Sequence, residues 1–214
     1  IAMNVAELFD EVEDTTVLNL GVGIPTEVAN YVTNPNIYLQ AENGMLGVGE
    51  IVAPDCAPPD LINAGRQPVC ETEGCCYFDS SMSFGMIRSG KVDVTVLGAF
   101  EVDEEGSVAN WIIPNGKQLG VGGAMDLVMG VNTVVIAMRH TDKHGNAKII
   151  GKCTLPITGK SRVRYIVTEF AVFEFLDGEL TLIKKAPEIS FEELKENTTA
   201  NYAISEHIEE MRTN

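Results

Sequence analysis

The apolar positions fall into short runs of mainly β-branched residues, separated by segments with the spacing of helices. The runs at residues 16–20, 92–97 and 133–137 are nearly continuous rather than alternating. Such runs are typical of strands that are covered on both faces of a sheet. Residues 26–32 and residues 81–88, which lie between these apolar runs, each have a helical pattern. The chain therefore predicts an α/β fold with an open, mostly parallel sheet flanked by helices.

Further elements follow the same alternation. Residues 37–40 and 108–113 are candidate strands, and residues 124–128 begin a short helix after the glycines at 120–123. No repeat, linker or low-complexity segment interrupts the chain. We therefore expect residues 1–214 to form a single domain, since a chain of this length can bury one full core.

The C-terminal part has a different pattern. Residues 172–176 and 179–182 flank Asp177 and Gly178, the strongest short signal for a β-hairpin. Ser190 and Glu193 then have the spacing of a capping box. This predicts an antiparallel hairpin and, after it, a largely polar C-terminal helix.

Composition narrows the class of protein. The chain has 45% hydrophobic and 21% charged residues, as an ordinary globular protein does. Its longest apolar stretches fall short of the roughly 18 residues that a membrane span needs, and no signal sequence is recognisable near Ile1. The five cysteines are an odd number in a chain that needs no disulfides, so we expect free thiols and a cytoplasmic location.

The net charge of −16 disfavours a nucleic-acid partner, because phosphates need a basic surface. The same net charge makes the binding of any anionic ligand less favourable. To bind such a ligand, the protein would need local backbone donors, a few well-placed Lys or Arg side chains, or a partner chain.

Three turns are expected at the carboxyl ends of strands, where α/β sheets bind ligands: residues 21–25, 42–49 and 120–123. Glu42 is a lone carboxylate between an apolar strand and a run of glycines, so it could attack a thioester as a nucleophile. It could equally brace a loop or cap a helix. Gly122 and Gly123 precede a helix and offer N–H groups to a phosphate or an oxyanion, or they form a plain connector.

The other clusters of polar residues are better explained by surface or turn positions than by a metal site. His140 and His144 lie in a polar segment, so we expect solvated surface rather than metal ligands. The acidic residues 101–105 are expected to form a solvated turn. Cys70, Cys75 and Cys76 lack the spacing of a zinc site. We predict no metal.

Several segments together resemble the B, or β, subunit of the family I coenzyme A transferases. Residues 19–26 (NLGVGIPT), 42–44 (ENG) and 122–128 (GGAMDLV) are the main matches. Residues 60–65, 78–80, 102–103, 109–111 and 153–156 also match, in the same order, so the resemblance covers nearly the whole chain. Acetate, butyrate and acetoacetate CoA transferases and succinyl-CoA:3-ketoacid transferases are similar in character.

The resemblance implies that Glu42 attacks an acyl-CoA and passes through a mixed anhydride to a glutamyl-CoA thioester. It implies that the Gly123 amide stabilises the oxyanion. The expected binding residues are Asn19, Gly21, Gly23, Ile24, Asn43, Gly44, Gly122 and Ala124. Coenzyme A is expected as a substrate, with no permanently bound cofactor. An α (A) subunit is the expected partner, in an α2β2 heterotetramer acting on acyl-CoA and small carboxylic acids.

Two departures qualify this. Ala41 stands where the family most often has serine, and the glycine-rich Gly-Gly-Phe motif of the family's A-type region is missing. Ala41 lacks the hydroxyl with which a serine could form a hydrogen bond to the turn. The missing Gly-Gly-Phe motif implies that a separate chain supplies the other half of the enzyme. Two alternatives stay open: a CoA-ester hydrolase, in which water resolves the intermediate, and a non-catalytic ligand-sensing domain of the same fold.

Overall fold

The structure, a computed structural model, describes residues 1–53, 55–56, 58, 60–112 and 120–213. Its helices are α1 (Ala2–Glu7), a 3₁₀ helix (Ile24–Asn30), α2 (Ser80–Arg88), α3 (Ala124–Gly130) and α4 (Phe191–Glu196). Its strands are β1 (Thr16–Leu20), β2 (Ile37–Ala41), β3 (Met45–Ile51), β4 (Val69–Tyr77), β5 (Val94–Leu97), β6 (Glu101–Asp103), β7 (Val108–Ala109), β8 (Thr133–Ala137), β9 (Ile149–Ile150), β10 (Val163–Val167), β11 (Ala171–Leu176), β12 (Glu179–Lys185) and β13 (Ala203–Glu210).

A sheet of ten strands has the spatial order β13-β12-β11-β10-β8-β5-β1-β2-β3-β4, and β7, β6 and β9 form a separate small sheet. The strands β10, β8, β5, β1 and β2 at its centre are parallel neighbours. Antiparallel pairs flank them on both sides. The prediction of an open, mostly parallel α/β sheet is therefore confirmed.

Both faces of the central sheet are covered. Leu18 and Val135 pack on one face with Val5 of α1 and Val28 of the 3₁₀ helix. On the other face, neighbouring strand residues pack against α2 and α3. Because successive residues of a strand point to opposite faces, a strand covered on both sides needs a continuous apolar run. This is why the central strands could be recognised in the sequence.

The predicted hairpin and the predicted helix cap at Ser190 are also present. Asp177 and Gly178 have φ values of 49° and 87°, as a tight turn between β11 and β12 requires. The Ser190 hydroxyl accepts a hydrogen bond from the Glu193 amide at 3.0 Å and caps α4. The C-terminal hairpin is confirmed.

The helix predicted at residues 26–32 differs in type and in its bounds. It is a 3₁₀ helix that begins at Ile24 and ends at Asn30. Pro25 lies in its first turn, where a missing N–H does no harm. The helix can therefore begin two residues before the position that we predicted.

The turn predicted at residues 42–49 is shorter in the structure, because β3 begins at Met45. Gly47 and Gly49 suggested a loop, yet both face β4. An ideal Cβ would lie 2.9 Å from the Cys75 Cα at Gly47 and 2.8 Å from the Cys70 carbonyl at Gly49. These glycines permit close packing of two strands rather than a turn.

Elements near both ends of the chain were not predicted. The helix α1 has no side-chain cap, and β13 follows α4 where we expected the chain to finish as a helix. Of the strand predicted at 108–113, only Val108 and Ala109 form a strand, β7. Ile113 lies outside the described residues. Within the described part of the chain, no helix is long and apolar enough to cross a membrane.

Candidate active site

The carboxyl ends of β1, β2 and β5 lie at one edge of the sheet because these strands are parallel neighbours. Glu42 is the first residue after β2, in the turn to β3. The Gly44 amide donates to the Ala41 carbonyl at 3.0 Å, and the Gly44 carbonyl accepts from the Phe78 amide at 3.0 Å. Gly44 has φ 126°, and a Cβ there would lie 2.1 Å from the Phe78 carbonyl oxygen. Only glycine fits this turn, which fixes the backbone beside Glu42.

The Glu42 side chain is half-buried. Its Oε2 accepts a hydrogen bond from Asn19 Nδ2 at 3.2 Å. Asn19 lies near the end of β1 and is fully buried. Among the described residues, no hydrogen bond reaches Glu42 Oε1. One carboxylate oxygen is thus held, and the other is available for attack on a bound group.

The glycine loop before α3 approaches the same carboxylate. An ideal Cβ at Gly123 would lie 3.7 Å from Glu42 Cγ and 3.0 Å from the Phe84 ring. The Ala124 amide donates to the Val121 carbonyl at 3.1 Å, so it is already engaged within the loop. In the part of the chain that the structure describes, the Gly123 amide has no acceptor. The Gly123 amide is therefore one unengaged backbone donor of a loop that lies close to Glu42.

The other residues named from the sequence have different positions. Asn43 Nδ2 donates to the Ile62 carbonyl at 3.0 Å and ties the turn to the following loop. The Gly21 amide donates to the Val96 carbonyl at 2.9 Å, and Gly23 and Ile24 begin the 3₁₀ helix. Gly122 has φ 53° with open space on its Cβ side. Of the residues named for binding, Asn19 contacts Glu42 directly, and Asn43 and Gly44 share its turn.

A row of buried polar residues beside Glu42 was not predicted. Gln40 Oε1 accepts from Asn19 Nδ2 at 2.8 Å, and Gln40 Nε2 donates to Ser83 Oγ at 3.1 Å. The Thr95 hydroxyl donates to Asn19 Oδ1 at 2.9 Å. A polar residue inside an otherwise apolar buried strand was the available signal, since such a residue must find a partner.

The prediction for His140 was wrong, whereas His144 is exposed as expected. The His140 ring is fully buried, with its nitrogens 2.9 Å from the hydroxyls of Thr168 and Thr198. It stacks on Phe170 with ring centroids 4.7 Å apart. Burial, with a smaller effect of the nearby Lys148 charge, lowers the pKa of His140 to about 4. The neutral imidazole joins two segments of the core.

The acidic segment 101–105 is a turn only at Glu104 and Glu105; the prediction was wrong for Glu101 and Asp103, which lie in β6 and whose carboxylates brace neighbouring loops. Glu101 accepts from the Thr154 and Leu155 amides at 2.7 and 2.9 Å. Asp103 is buried and accepts from the Ser107 amide at 2.8 Å. Over the described residues, no group of three or more His, Cys, Asp or Glu side chains is placed to hold a metal ion. The five cysteines are free thiols.

A carboxylate with one unengaged oxygen, close to a glycine loop that has an unengaged backbone amide, is an arrangement suited to acyl transfer. The family model described as coenzyme A transferase matches residues 2–197. The chain therefore belongs to the coenzyme A transferase family.

Individual relatives agree with this. The chain is 46% identical to the beta subunit of the acetate CoA-transferase of Haemophilus influenzae, over 94% of this chain and 91% of that protein. It is 43% identical to the B-type subunit of a probable succinyl-CoA:3-ketoacid coenzyme A transferase of Bacillus subtilis, covering 92% of each. Both relatives are thus named as one subunit of a larger enzyme.

The fold resembles that of the acyl-CoA transferase of Escherichia coli O157:H7, with a TM-score of 0.75 and 21% identity. The match covers 99% of this chain and 43% of that longer chain. At this identity the likeness concerns the fold alone.

Proposed function

We propose that the chain is the catalytic β subunit of a heteromeric CoA transferase that moves CoA between a short-chain acyl-CoA and a small carboxylic acid. The observation that carries the proposal is the position of Glu42, held at Oε2 by Asn19 and close to the Gly123 loop. Acetate, butyrate, succinate and acetoacetate are the class of acids that we propose, by analogy with the named relatives.

In the proposed reaction, Glu42 Oε1 attacks the thioester carbonyl of the acyl-CoA. The C–S bond breaks, CoA leaves as its thiolate, and an acyl-glutamyl anhydride forms. The thiolate then attacks the glutamyl carbonyl, which releases the first carboxylate and leaves a glutamyl-CoA thioester. A second carboxylate reverses these steps and leaves as the new acyl-CoA.

Each attack creates a tetrahedral oxyanion. We propose that the Gly123 N–H donates to that oxygen, since it is free of other acceptors among the described residues. A preorganised donor costs no reorganisation when charge develops. Gly44 and Asn43 act on the backbone that carries Glu42, whereas Gly122 shapes the loop that presents Gly123. We propose that Gly21, Gly23, Ile24 and Ala124 line the approach to this site.

We further propose an α subunit as partner, in an α2β2 heterotetramer. The relatives' subunit names support it. Coenzyme A is bound as substrate, with no permanent cofactor, and we place the enzyme in the cytoplasm on the strength of its five thiols.

The test is to incubate the heteromer with an acyl-CoA in the absence of acceptor acid and to locate CoA by peptide mass spectrometry. We expect the adduct on Glu42, and none in the Glu42→Gln variant, because an amide lacks the attacking anionic oxygen. Glu50→Gln is a matched control at an exposed acid of β3 and should keep the adduct. An adduct on Glu50, or turnover by a Glu42→Gln variant shown not to have deamidated, would refute the mechanism.

The same incubation separates transfer from hydrolysis. A transferase holds its adduct until an acid is added, and the new acyl-CoA then appears. Rapid loss of the adduct to free CoA, with no effect of added acid, would identify a CoA-ester hydrolase instead.

A further inference from the structure

We infer that Gln40, Thr95 and Ser83 are positioning residues that orient the Asn19 amide and, through it, the Glu42 carboxylate. The inference rests on the proposed function of Glu42. It concerns residues that contact neither Glu42 oxygen themselves, and therefore act only through Asn19.

The sheet register brings these residues together. Asn19 of β1 is directly opposite Gln40 of β2 and opposite Thr95 of β5. Their side chains therefore form one row across three parallel strands, on the face that α2 covers. Ser83 of α2 lies over the end of this row. Glu42 follows Gln40 by two residues, which directs its side chain to the same face.

All four members of the row are buried, at 0% exposure for Asn19, Ser83 and Thr95 and 3% for Gln40. A buried amide without partners is costly, so such groups are retained with a complete set of hydrogen bonds or not at all. Each member here has at least one partner within the row. The row is therefore a connected polar network inside an apolar sheet.

The network permits one orientation of the Asn19 amide. Asn19 Nδ2 lies 3.3 Å from the Gln40 main-chain carbonyl, which can only accept a hydrogen bond. Asn19 Oδ1 must then face Thr95, whose hydroxyl donates to it at 2.9 Å. Gln40 is fixed in turn, because its Oε1 accepts from Asn19 and its Nε2 donates to Ser83.

This orientation determines which atom of the Asn19 amide faces the Glu42 carboxylate. The N–H side of Asn19 faces Oε2, so the carboxylate is held at 3.2 Å through one oxygen. A flipped amide would set Asn19 Oδ1 against both the Gln40 carbonyl and the Glu42 carboxylate. The Gln40 main-chain carbonyl therefore excludes a state in which Glu42 is repelled from its position, and the Thr95 hydroxyl and the Gln40 side chain supply partners for the orientation that remains. Attack depends on such alignment, since reacting atoms must approach within about 3–3.5 Å.

A purely structural role would affect stability and leave the chemical step unchanged, so the test compares the two. Thr95→Val keeps the side-chain shape and removes the hydroxyl, Thr95→Ser keeps the hydroxyl, and Gln40→Met removes the amide. Thr181→Val is the matched control, because Thr181 is a buried strand threonine of β12 whose hydroxyl, among the described residues, bonds only the Glu179 carbonyl. All variants are measured as assembled heteromers.

The measured quantity is the single-turnover rate constant for CoA adduct formation at Glu42. We expect Thr95→Val and Gln40→Met to lower it by about 10-fold to 100-fold, as small misplacements of reacting groups do. The acyl-CoA concentration at half-saturation should change little. Thr95→Ser should retain most of the rate, and Thr181→Val should match the wild type even if its melting temperature falls.

Gln40→Glu provides a second readout that does not depend on a cavity. A carboxylate at position 40 can still accept from Asn19, but it adds a negative charge close to Glu42 and disfavours ionisation of Glu42. The acid limb of the pH profile for adduct formation should therefore move to higher pH. No such movement is expected from Thr95→Val.

The outcomes distinguish the two proposals. If wild-type heteromer forms no adduct on Glu42, the proposed function fails. If the wild type forms it, and folded Thr95→Val and Gln40→Met form it at the wild-type rate, the positioning role is wrong. Should Thr95→Val not assemble, an unchanged rate in Gln40→Met together with an unmoved acid limb in Gln40→Glu overturns the positioning role in the same way.

Discussion

The Phe84 ring leaves little room for a side chain at position 123, next to Glu42. A Cβ there would lie 3.0 Å from two carbons of the Phe84 ring and 3.7 Å from Glu42 Cγ. The backbone conformation of Gly123, with φ −84°, is one that any residue can adopt. The requirement for glycine at this position is therefore one of space rather than of conformational freedom.

We predict that Gly123→Ala lowers kcat about 10-fold to 100-fold without unfolding the chain. The methyl group pushes the loop from the Phe84 ring and moves the amide only part of the way from the oxyanion. The loss is therefore smaller than the roughly 2.7–4 kcal/mol, or about 10²–10³ in kcat, that complete loss of one such donor costs. Adding Phe84→Leu should restore part of the rate by making room. Steady-state kinetics of both variants and of Phe84→Leu alone would check this. A folded Gly123→Ala enzyme with wild-type kcat would mean that the loop is only a connector.

The sequence was sufficient to propose Glu42, Asn19 and Gly123, because each belongs to a motif with a chemical reason. It did not reveal Gln40 or Thr95. Each is a single polar residue within an apolar strand. Its role depends on the strand register that places it opposite Asn19. Strand register depends on pairings between distant segments, so these residues could not be joined into one network before the sheet order was known.

At the scale of elements, His140 links the end of α4 to the central sheet. Its ring nitrogens contact Thr198, just after α4, and Thr168, between β10 and β11. Glu169 also accepts from the His140 amide at 2.9 Å. The segment was predicted to be solvated because its neighbours along the chain are polar. Its burial comes from contacts with distant residues, which local composition does not report.

We predict that protonation of His140 destabilises the fold in acid. The pKa of this buried imidazole is about 4, below the ordinary value of 6.5. As the pH falls from 6.5 towards 4, the unfolded chain takes up a proton that the folded chain does not. The free energy of unfolding should therefore decrease over this window, by roughly 3 kcal/mol, and be fully retained above pH 6.5.

Denaturant unfolding of the wild type, His140→Gln and the exposed His144→Gln at several pH values measures this. His140→Gln should be less stable than the wild type at pH 8 but should lose less stability between pH 6.5 and 4. His144→Gln should keep the wild-type slope. Equal slopes in all three proteins would show that other groups cause the acid sensitivity.

The elements that could be predicted are those whose pattern is set locally or by complete burial. The central strands have continuous apolar runs, and the hairpin and α4 have turn and cap residues of known geometry. The strands β4 and β13 lie at the two edges of the sheet and are partly exposed. An edge strand needs few apolar residues, so its sequence resembles that of a loop.

At the scale of the whole molecule, the chain has a net charge of −16 and yet belongs to a family that handles CoA, which carries phosphates. One cation close to the site is Arg88, whose guanidinium lies 5.8 Å from the Phe84 ring centroid. It already pairs with Asp126 at 2.7 Å. Because Arg88 is already paired, we expect the proposed second subunit to supply part of the positive charge that the CoA phosphates need.

We therefore predict that the purified chain alone has little transferase activity and gains it when mixed with the α-type subunit of the same organism. Titration should give activity that saturates at equimolar subunits, and sedimentation should give the mass of an α2β2 heterotetramer. Glu42→Gln should assemble with the same stoichiometry and remain inactive, which separates assembly from chemistry. Full activity of the isolated 214-residue chain would contradict the two-subunit proposal, because that chain lacks the A-type motif.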